Sequence, residues 1–216
     1  LLNGLPLNTT SMAGAPLRQI DVHNIQSIQV NPTSQSVLYG SGAVGGVVNI
    51  ITRAPVQQYA TVAMSAGLPG FQQVDVEAAG PSKNGWAFTG GMLGQRNMGF
   101  RAHSENDQAQ AHAAALYHHN GNTLNIRVLH SKSRLLFPGA LTAGQLQQDR
   151  DQAGDYTGVG YHSNTHVLVH AAHVRGAMHY QLNTSYQNSL SHGHWSSVGV
   201  ANPFTQHAHR VWVVPS

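Results

Sequence analysis

The chain has 216 residues, of which 11 are basic and 8 acidic, giving a formal charge of +3; 41% are apolar, 23 are glycine and none is cysteine. The missing cysteines exclude disulfides and thiolate metal sites, and a charged fraction of only 9% does not suit the highly charged type of disordered chain. The basic residues are scattered (Arg18, Arg53, Lys83, Arg96, Arg101, Arg127), whereas nucleic-acid binding needs a concentrated basic footprint.

The first region runs from Leu1 to about Gln57. It opens on a short apolar strand and turn, Leu1-Leu2-Asn3-Gly4-Leu5-Pro6-Leu7. No methionine and no secretory leader precede it, so we expect the start to lie upstream. Ile25-Gln26-Ser27-Ile28-Gln29-Val30 then alternates as a half-buried strand does. Ser36-Val37-Leu38-Tyr39-Gly40-Ser41-Gly42-Ala43-Val44-Gly45-Gly46 follows, dense in glycines that permit tight turns and close backbone approaches. The β-branched run Val47 to Thr52 predicts a buried strand.

From Tyr59 onward the texture changes to repeated period-two segments. Val74, Val76 and Ala78 alternate with Gln73, Asp75 and Glu77, and Trp86, Phe88 and Met92 lie opposite Thr89 and Gln95. Leu124, Ile126 and Val128 alternate with Asn125 and Arg127, Val167 and Val169 with His166 and His170, and Tyr180 to Tyr186 with Gln181 to Gln187. Such repetition means a sheet. Turn chemistry separates the segments at Pro81-Ser82-Lys83-Asn84-Gly85, at Asn120-Gly121-Asn122 and more weakly at Arg175-Gly176. Longer polar stretches lie at Arg101 to Gln108 and Pro138 to Tyr156. The count is about eight strands. No run reaches the ~18 apolar residues of a membrane helix, but a membrane barrel signals itself by alternation alone. Gly158 to Val174 and Ala177 to Ser189 exceed the usual strand of about 5–6 residues, and Trp86, Tyr180 and Tyr186 sit towards the ends of outward faces as girdle aromatics do. Periodicity thus favours a barrel, with a soluble β-sandwich as the competing architecture.

Three blocks carry a resemblance. Leu38 to Arg53 resembles the end of the plug domain of TonB-dependent outer-membrane receptors, Leu2-Asn3-Gly4-Leu5-Pro6-Leu7-Asn8 their "DGVPLN" segment, and Ile25 to Val30 their "IERIEV" strand, in matching order. Phe137 to Thr142 with Gln148 to Asp151 is similar to an early extracellular loop of siderophore receptors. The resemblance implies an all-β chain with an α+β plug part. It would comprise the C-terminal part of a plug (residues 1–57) and the N-terminal strands of a large antiparallel transmembrane β-barrel (58–216), with Arg53 to Gln57 as the passage between them. It also implies the plug motif Asn3, Gly4, Pro6, Leu38, Tyr39, Gly40, Gly42, Ala43, Gly45, Gly46, Asn49 and Thr52. The expected setting is the outer membrane of a Gram-negative bacterium, in contact with its lipid. The expected partners are an iron chelate or other small nutrient and the TonB system, whose contact segment this chain lacks; nucleic acid is not among them. The chain departs from the family at Asn3, where aspartate is usual, at Gln26 and Gln29 for glutamates, at Ser27 for an arginine and at Asn31-Pro32-Thr33-Ser34. In the family, plug charges here pair with carboxylates on the barrel wall. Sequence divergence and decay of a truncated gene both remain open as explanations.

For catalysis we find no G-x-S-x-G elbow, P-loop or H-E-x-x-H, so the chain reads as a non-enzyme without a cofactor. The 15 histidines, including His118-His119, His192-Gly193-His194 and His207-Ala208-His209, are expected to be solvated or to face a polar lumen rather than to bind metal. Asp149, Arg150 and Asp151 form a loop cluster whose default state is solvated charge, with ligand contact as the alternative. An incomplete receptor is not expected to transport alone. The competing function is a small closed barrel of about eight strands with a plug-derived tail, structural or adhesive in role. It requires Val200 to Ser216 to close against Tyr59 to Gly67.

Overall fold

The computed structural model describes residues 1–5, 7, 20, 25–53, 57–197 and 200–215. Its larger part is an eight-stranded sheet formed by β3 (Tyr59–Gly67), β4 (Phe71–Pro81), β5 (Trp86–Asn97), β6 (Asn106–His119), β7 (Asn122–Leu136), β8 (Val159–Arg175), β9 (Met178–Ser197) and β10 (Val200–Pro215). Every strand pairs antiparallel with its neighbours in sequence. The result is a meander, the topology that short hairpin connections allow.

Alternation decides which side each residue takes. Across the sheet, Val76, Met92, Ala111 and His130 occupy one outward row, and Val128, Val167 and Tyr186 stand in the next. The inward rows are polar: Asp75, Glu77, Thr89, Gln108, Arg127, Ser131, Asn164, His166, Ser185, Gln187 and Ser189 are all buried. Apolar side chains are exposed and polar ones covered, the reverse of a soluble β-sandwich and the pattern of a membrane barrel wall. Val62, Met64, Met92, Tyr180 and Val211 are each more than half exposed on the outer face. Trp86 stacks on Phe88 (6.0 Å) and tilts against Tyr117 (5.0 Å), an aromatic group at the end of that face.

The two ends of the sheet differ. One carries the tight connections 82–85, 120–121 and 176–177, and the other carries 68–70, 98–105 and 137–158. Asn84-Gly85 and Asn120-Gly121 both take positive φ (60° and 82°; 49° and 75°), the pair of left-handed residues that a two-residue hairpin with native twist demands. In the 137–158 connection, α2 (Ala143–Gln148) starts at a capping box, with Thr142 and Gln145 satisfying each other's backbone N–H groups.

Three expectations need correction. Residues Asn106 to Gln108 belong to β6, not to a loop, because they pair with Gln95 to Asn97; their polar side chains suit a strand whose inner face is polar, where Gln108 is buried. The run Val47 to Thr52 is a strand, but only Ile50 is buried, because it sits in a two-stranded sheet with one covered face. β10 does not close against β3. These are the two ends of the sheet order among the described residues, so the small closed barrel is not formed.

The N-terminal part holds β1 (Ile25–Asn31) and β2 (Val47–Thr52), antiparallel, with a helical turn α1 (Ser36–Tyr39) and a 3-10 turn (Ser41–Ala43) between them. Leu2 bridges Ile50 in parallel, and Leu2 and Leu5 close a turn on each other.

Candidate functional site

The N-terminal part meets the inner face of the sheet through leucines. Leu2, Leu5, Leu7 and Ile50 form one buried cluster with Leu168 of β8, joined by Ile20, Ile25 and Leu129 of β7. Leu168 and Leu129 are thus apolar positions on a largely polar wall, which also buries Leu93, and they face the apolar patch that comes to meet them. The gap between Leu2, Ile20 and Thr52 on one side and Gln110, His112, Arg127 and Ser131 on the other holds only about 20 Å³, room for roughly one water molecule.

The turn that presents Leu2 and Leu5 is held by two asparagines. Asn3 Oδ1 accepts from the Thr52 backbone N–H at 3.0 Å, and its Nδ2 donates to Thr52 Oγ1 at 3.0 Å. The Gly4 N–H donates to Asn49 Oδ1 at 2.9 Å. Asn3 and Gly4 take φ of 49° and 82°, a left-handed pair like those of the hairpins. Four motif residues (Asn3, Gly4, Asn49, Thr52) therefore form one unit, although 45 or more positions separate its halves.

Leu38 and Tyr39 lie in α1, whose end is the positive-φ Gly40 (75°). Gly42 and the buried Ala43 belong to the 3-10 turn, and Gly45 has open space around it. Gly46 has φ of 122° and packs so closely that a Cβ would stand 2.5 Å from Asn31 O. Pro6 lies outside the described residues. The charge-poor β1 is mostly exposed; Gln29 accepts from Asn49 Nδ2 at 3.3 Å.

The wall carries its own polar cluster. Glu77 Oε1 accepts from Tyr59 OH (2.9 Å) and Thr89 Oγ1 (3.4 Å), and lies 3.9 Å from His112 Nε2. His112 reaches it by lying over Gly91, where a Cβ would stand 2.7 Å from His112 Cε1. These three partners of the carboxylate all come from the wall itself. Arg127 and His166 are also buried on the inner rows, and among the described residues Arg127 Nε and Nη1 and both His166 ring nitrogens have no hydrogen-bond partner. The histidines divide between the faces: by strand parity His112, His162, His166 and His170 point inward, while His130, His173, His192 and His209 point outward. Among the described residues, no three groups of His, Asp or Glu gather as a metal site would.

At the loop end, Asp149, Arg150 and Asp151 are exposed, and Asp149 Oδ1 accepts from the Asp151 N–H at 2.9 Å. Arg101, which in the sequence is one scattered cation among several, has a definite place here. Its guanidinium donates to Gln152 O (3.2 and 3.1 Å) and Gly139 O (3.1 Å), while the Ala102 N–H donates to Asp151 O. His103 Nε2 lies 2.9 Å from Gly158 O. The 98–105 and 137–158 connections are thereby bound together, with Phe100 (74% exposed) and Tyr156 (62%) on their surface. Only the placing of these two aromatics inside polar loop segments could have marked them from sequence.

Residues 1–47 match the family model described as the TonB-dependent Receptor Plug Domain. Over 88 residues the chain is 35% identical to the vitamin B12 transporter BtuB of Photobacterium profundum, covering 40% of this chain and 14% of that protein. The fold resembles part of the ferric citrate transporter FecA in its unliganded form (TM-score 0.82, 18% identity, 99% of this chain and 34% of that one). It also resembles part of the ferripyoverdine receptor of the outer membrane of Pseudomonas aeruginosa (TM-score 0.71, 13% identity, 95% and 30%). The chain therefore spans a small part of the curated relative and about a third of each of these structures.

Proposed function

We propose that this chain, which belongs with the TonB-dependent outer-membrane receptors, supplies part of the plug and barrel wall through which a receptor imports a scarce nutrient. Its setting is the Gram-negative outer membrane, and its work is transport rather than catalysis. The observation that carries the reading is the docking of Leu2, Leu5 and Ile50 on Leu168, inside a wall whose outer face is apolar and whose inner face is polar. We assign 1–57 to the plug and 58–216 to the barrel; β2 ends at Thr52 and β3 begins at Tyr59, which supports a boundary near Gln57. The plug motif acts as a clasp, with Asn3, Gly4, Asn49 and Thr52 fixing the turn and Gly40 and Gly46 shaping the chain between α1 and β2.

The substrate we favour is an iron chelate, because several structures of this fold are iron-chelate receptors by name; a cobalamin is the second reading, favoured by the 35% identical relative. Ligand would meet the loop end, where Phe100, Tyr156 and the Asp149 to Asp151 segment are exposed. Energy would come from the TonB system, which displaces the plug from the wall. These 216 residues alone would not transport, since β3 and β10 leave unpaired edges that lipid does not tolerate.

The test uses cells whose sole receptor contains this chain. Cysteines at Leu5 and Leu168, joined by a short bismaleimide, should abolish uptake of ferric citrate or vitamin B12 while leaving binding intact. Undiminished uptake by the tethered receptor would show that plug and wall need not separate.

A further inference from the structure

The outward face should be apolar wherever it meets acyl chains, yet β5 to β7 end in a group of charges there. Arg96, Asp107 and Arg134 stand opposite one another in a single row across three strands. Asp107 lies 3.7 Å from Arg96 Nε and 3.6 Å from Arg134 Nη1. Lys132 is exposed on the same face, two residues along β7. Three cations thus surround one carboxylate, which leaves positive charge in excess. All four line one hollow of about 530 Å³. By parity they lie at the loop end of the outer face, next to Val74 and Gly94, where wall becomes headgroup region.

Beneath this group β6 keeps a low outer face. β6 presents Ala109, Ala111, Ala113 and Ala115 in succession, beside Gly90 and Gly94 of β5. Met92, 70% exposed, stands between these two glycines and opposite Ala111; beyond it, Ala113, Ala115, Phe88, Ile126 and Val128 line a separate hollow of about 1060 Å³ that continues to Pro81 and Ser82 at the turn end. On the flanking strands the same face carries larger side chains, Val74 and Val76 of β4 and Ile126 and Val128 of β7. Cations at one end of an alanine-faced strand, with an apolar hollow farther along it, match a molecule with a phosphate at one end and an acyl chain at the other. Guanidinium groups suit phosphate oxygens in particular, because two N–H groups can donate in parallel.

We propose that this face holds a phosphate-bearing membrane lipid, its headgroup on Arg96, Lys132 and Arg134 and one acyl chain along the alanine face of β6. The proposal rests on the outer face being the membrane-facing one. Asp107 orients the two arginines and limits the site to headgroups whose charge outweighs its own repulsion.

The experiment takes the receptor containing this chain in detergent, adds dioleoyl phosphatidate, and counts retained lipid by native mass spectrometry. Dioleoyl phosphatidylcholine and inorganic phosphate serve as the comparison probes. Phosphatidate should be retained in preference to phosphatidylcholine and should resist competition by inorganic phosphate. Retention should fall about tenfold in R96Q/K132Q/R134Q and also in A113F, which obstructs the alanine face, and by less in R96K/R134K, which keeps the charge but loses the paired N–H donors. Equal retention of phosphatidylcholine, displacement by inorganic phosphate at equal concentration, or undiminished retention by either the triple variant or A113F would overturn the proposal. Nutrient binding measured on the same samples reports separately on the transport reading and on whether each variant has folded.

Discussion

At Asn3 a single side chain both tolerates a left-handed backbone and satisfies Thr52 through its two amide atoms. Aspartate keeps the acceptor and the backbone tolerance but loses the Nδ2 donor, which Thr52 Oγ1 can replace by donating in turn. Asn3→Asp should therefore cost less than about 1 kcal/mol, and Asn3→Leu, which leaves the Thr52 N–H without its acceptor, about 1–3 kcal/mol; urea denaturation of the plug part checks both. The glycines also separate. Gly46→Ala would combine a φ of 122° with a collision at Asn31 O and should cost about 1–3 kcal/mol. Gly45→Ala enters open space and should stay within about 0.5 kcal/mol. Limited proteolysis of the plug segment ranks them. The glycine-rich run was visible in the sequence, but which of its members could not accept a Cβ was not, because the atom that forbids one at Gly46 comes from the distant end of β1.

The strands themselves were legible, since each announces its inner and outer face by period two. Their mutual register was not. Nothing local says that Gly91 lies beside His112 or that His112 then reaches Glu77, and so the wall cluster went unseen. The same limit hid Leu168, which reads like any apolar residue in β8 until its inward position puts it against Leu2 and Leu5. Leu168→Ala should weaken the attachment of the plug by about 2–4 kcal/mol while leaving the wall's hydrogen-bond ladder intact. Hydrogen exchange should show faster exchange around Leu2 to Leu5 and unchanged protection in β7 and β9. Equal loss of protection in both places would mean that Leu168 supports the sheet rather than the dock.

Taken as a whole, the molecule has its polarity reversed between faces, and substitution should respond accordingly. Ile126→Arg on the outer face, one row in from the aromatic group of Trp86 and Tyr117, should destabilise the receptor in lipid by about 1–2 kcal/mol. Asn125→Arg, one residue away but facing inward, should change stability far less; denaturant unfolding from vesicles measures the difference. Sequence alternation was enough to assign those two faces, and turn chemistry set against long polar stretches already marked the two ends; that the 98–105 and 137–158 connections meet was not legible. Arg101 and Gln152 are 51 positions apart, and no pattern in either segment names the other as its partner. That junction has a consequence for recognition. Two loops free to move separately would each lose disorder when a ligand settled on them, and the losses would add. Joined through Arg101, Ala102 and His103, they share one set of motions. Under the proposed function, a ligand that stilled either loop would still both, so the second contact would come with its ordering already done and the two surfaces should bind cooperatively.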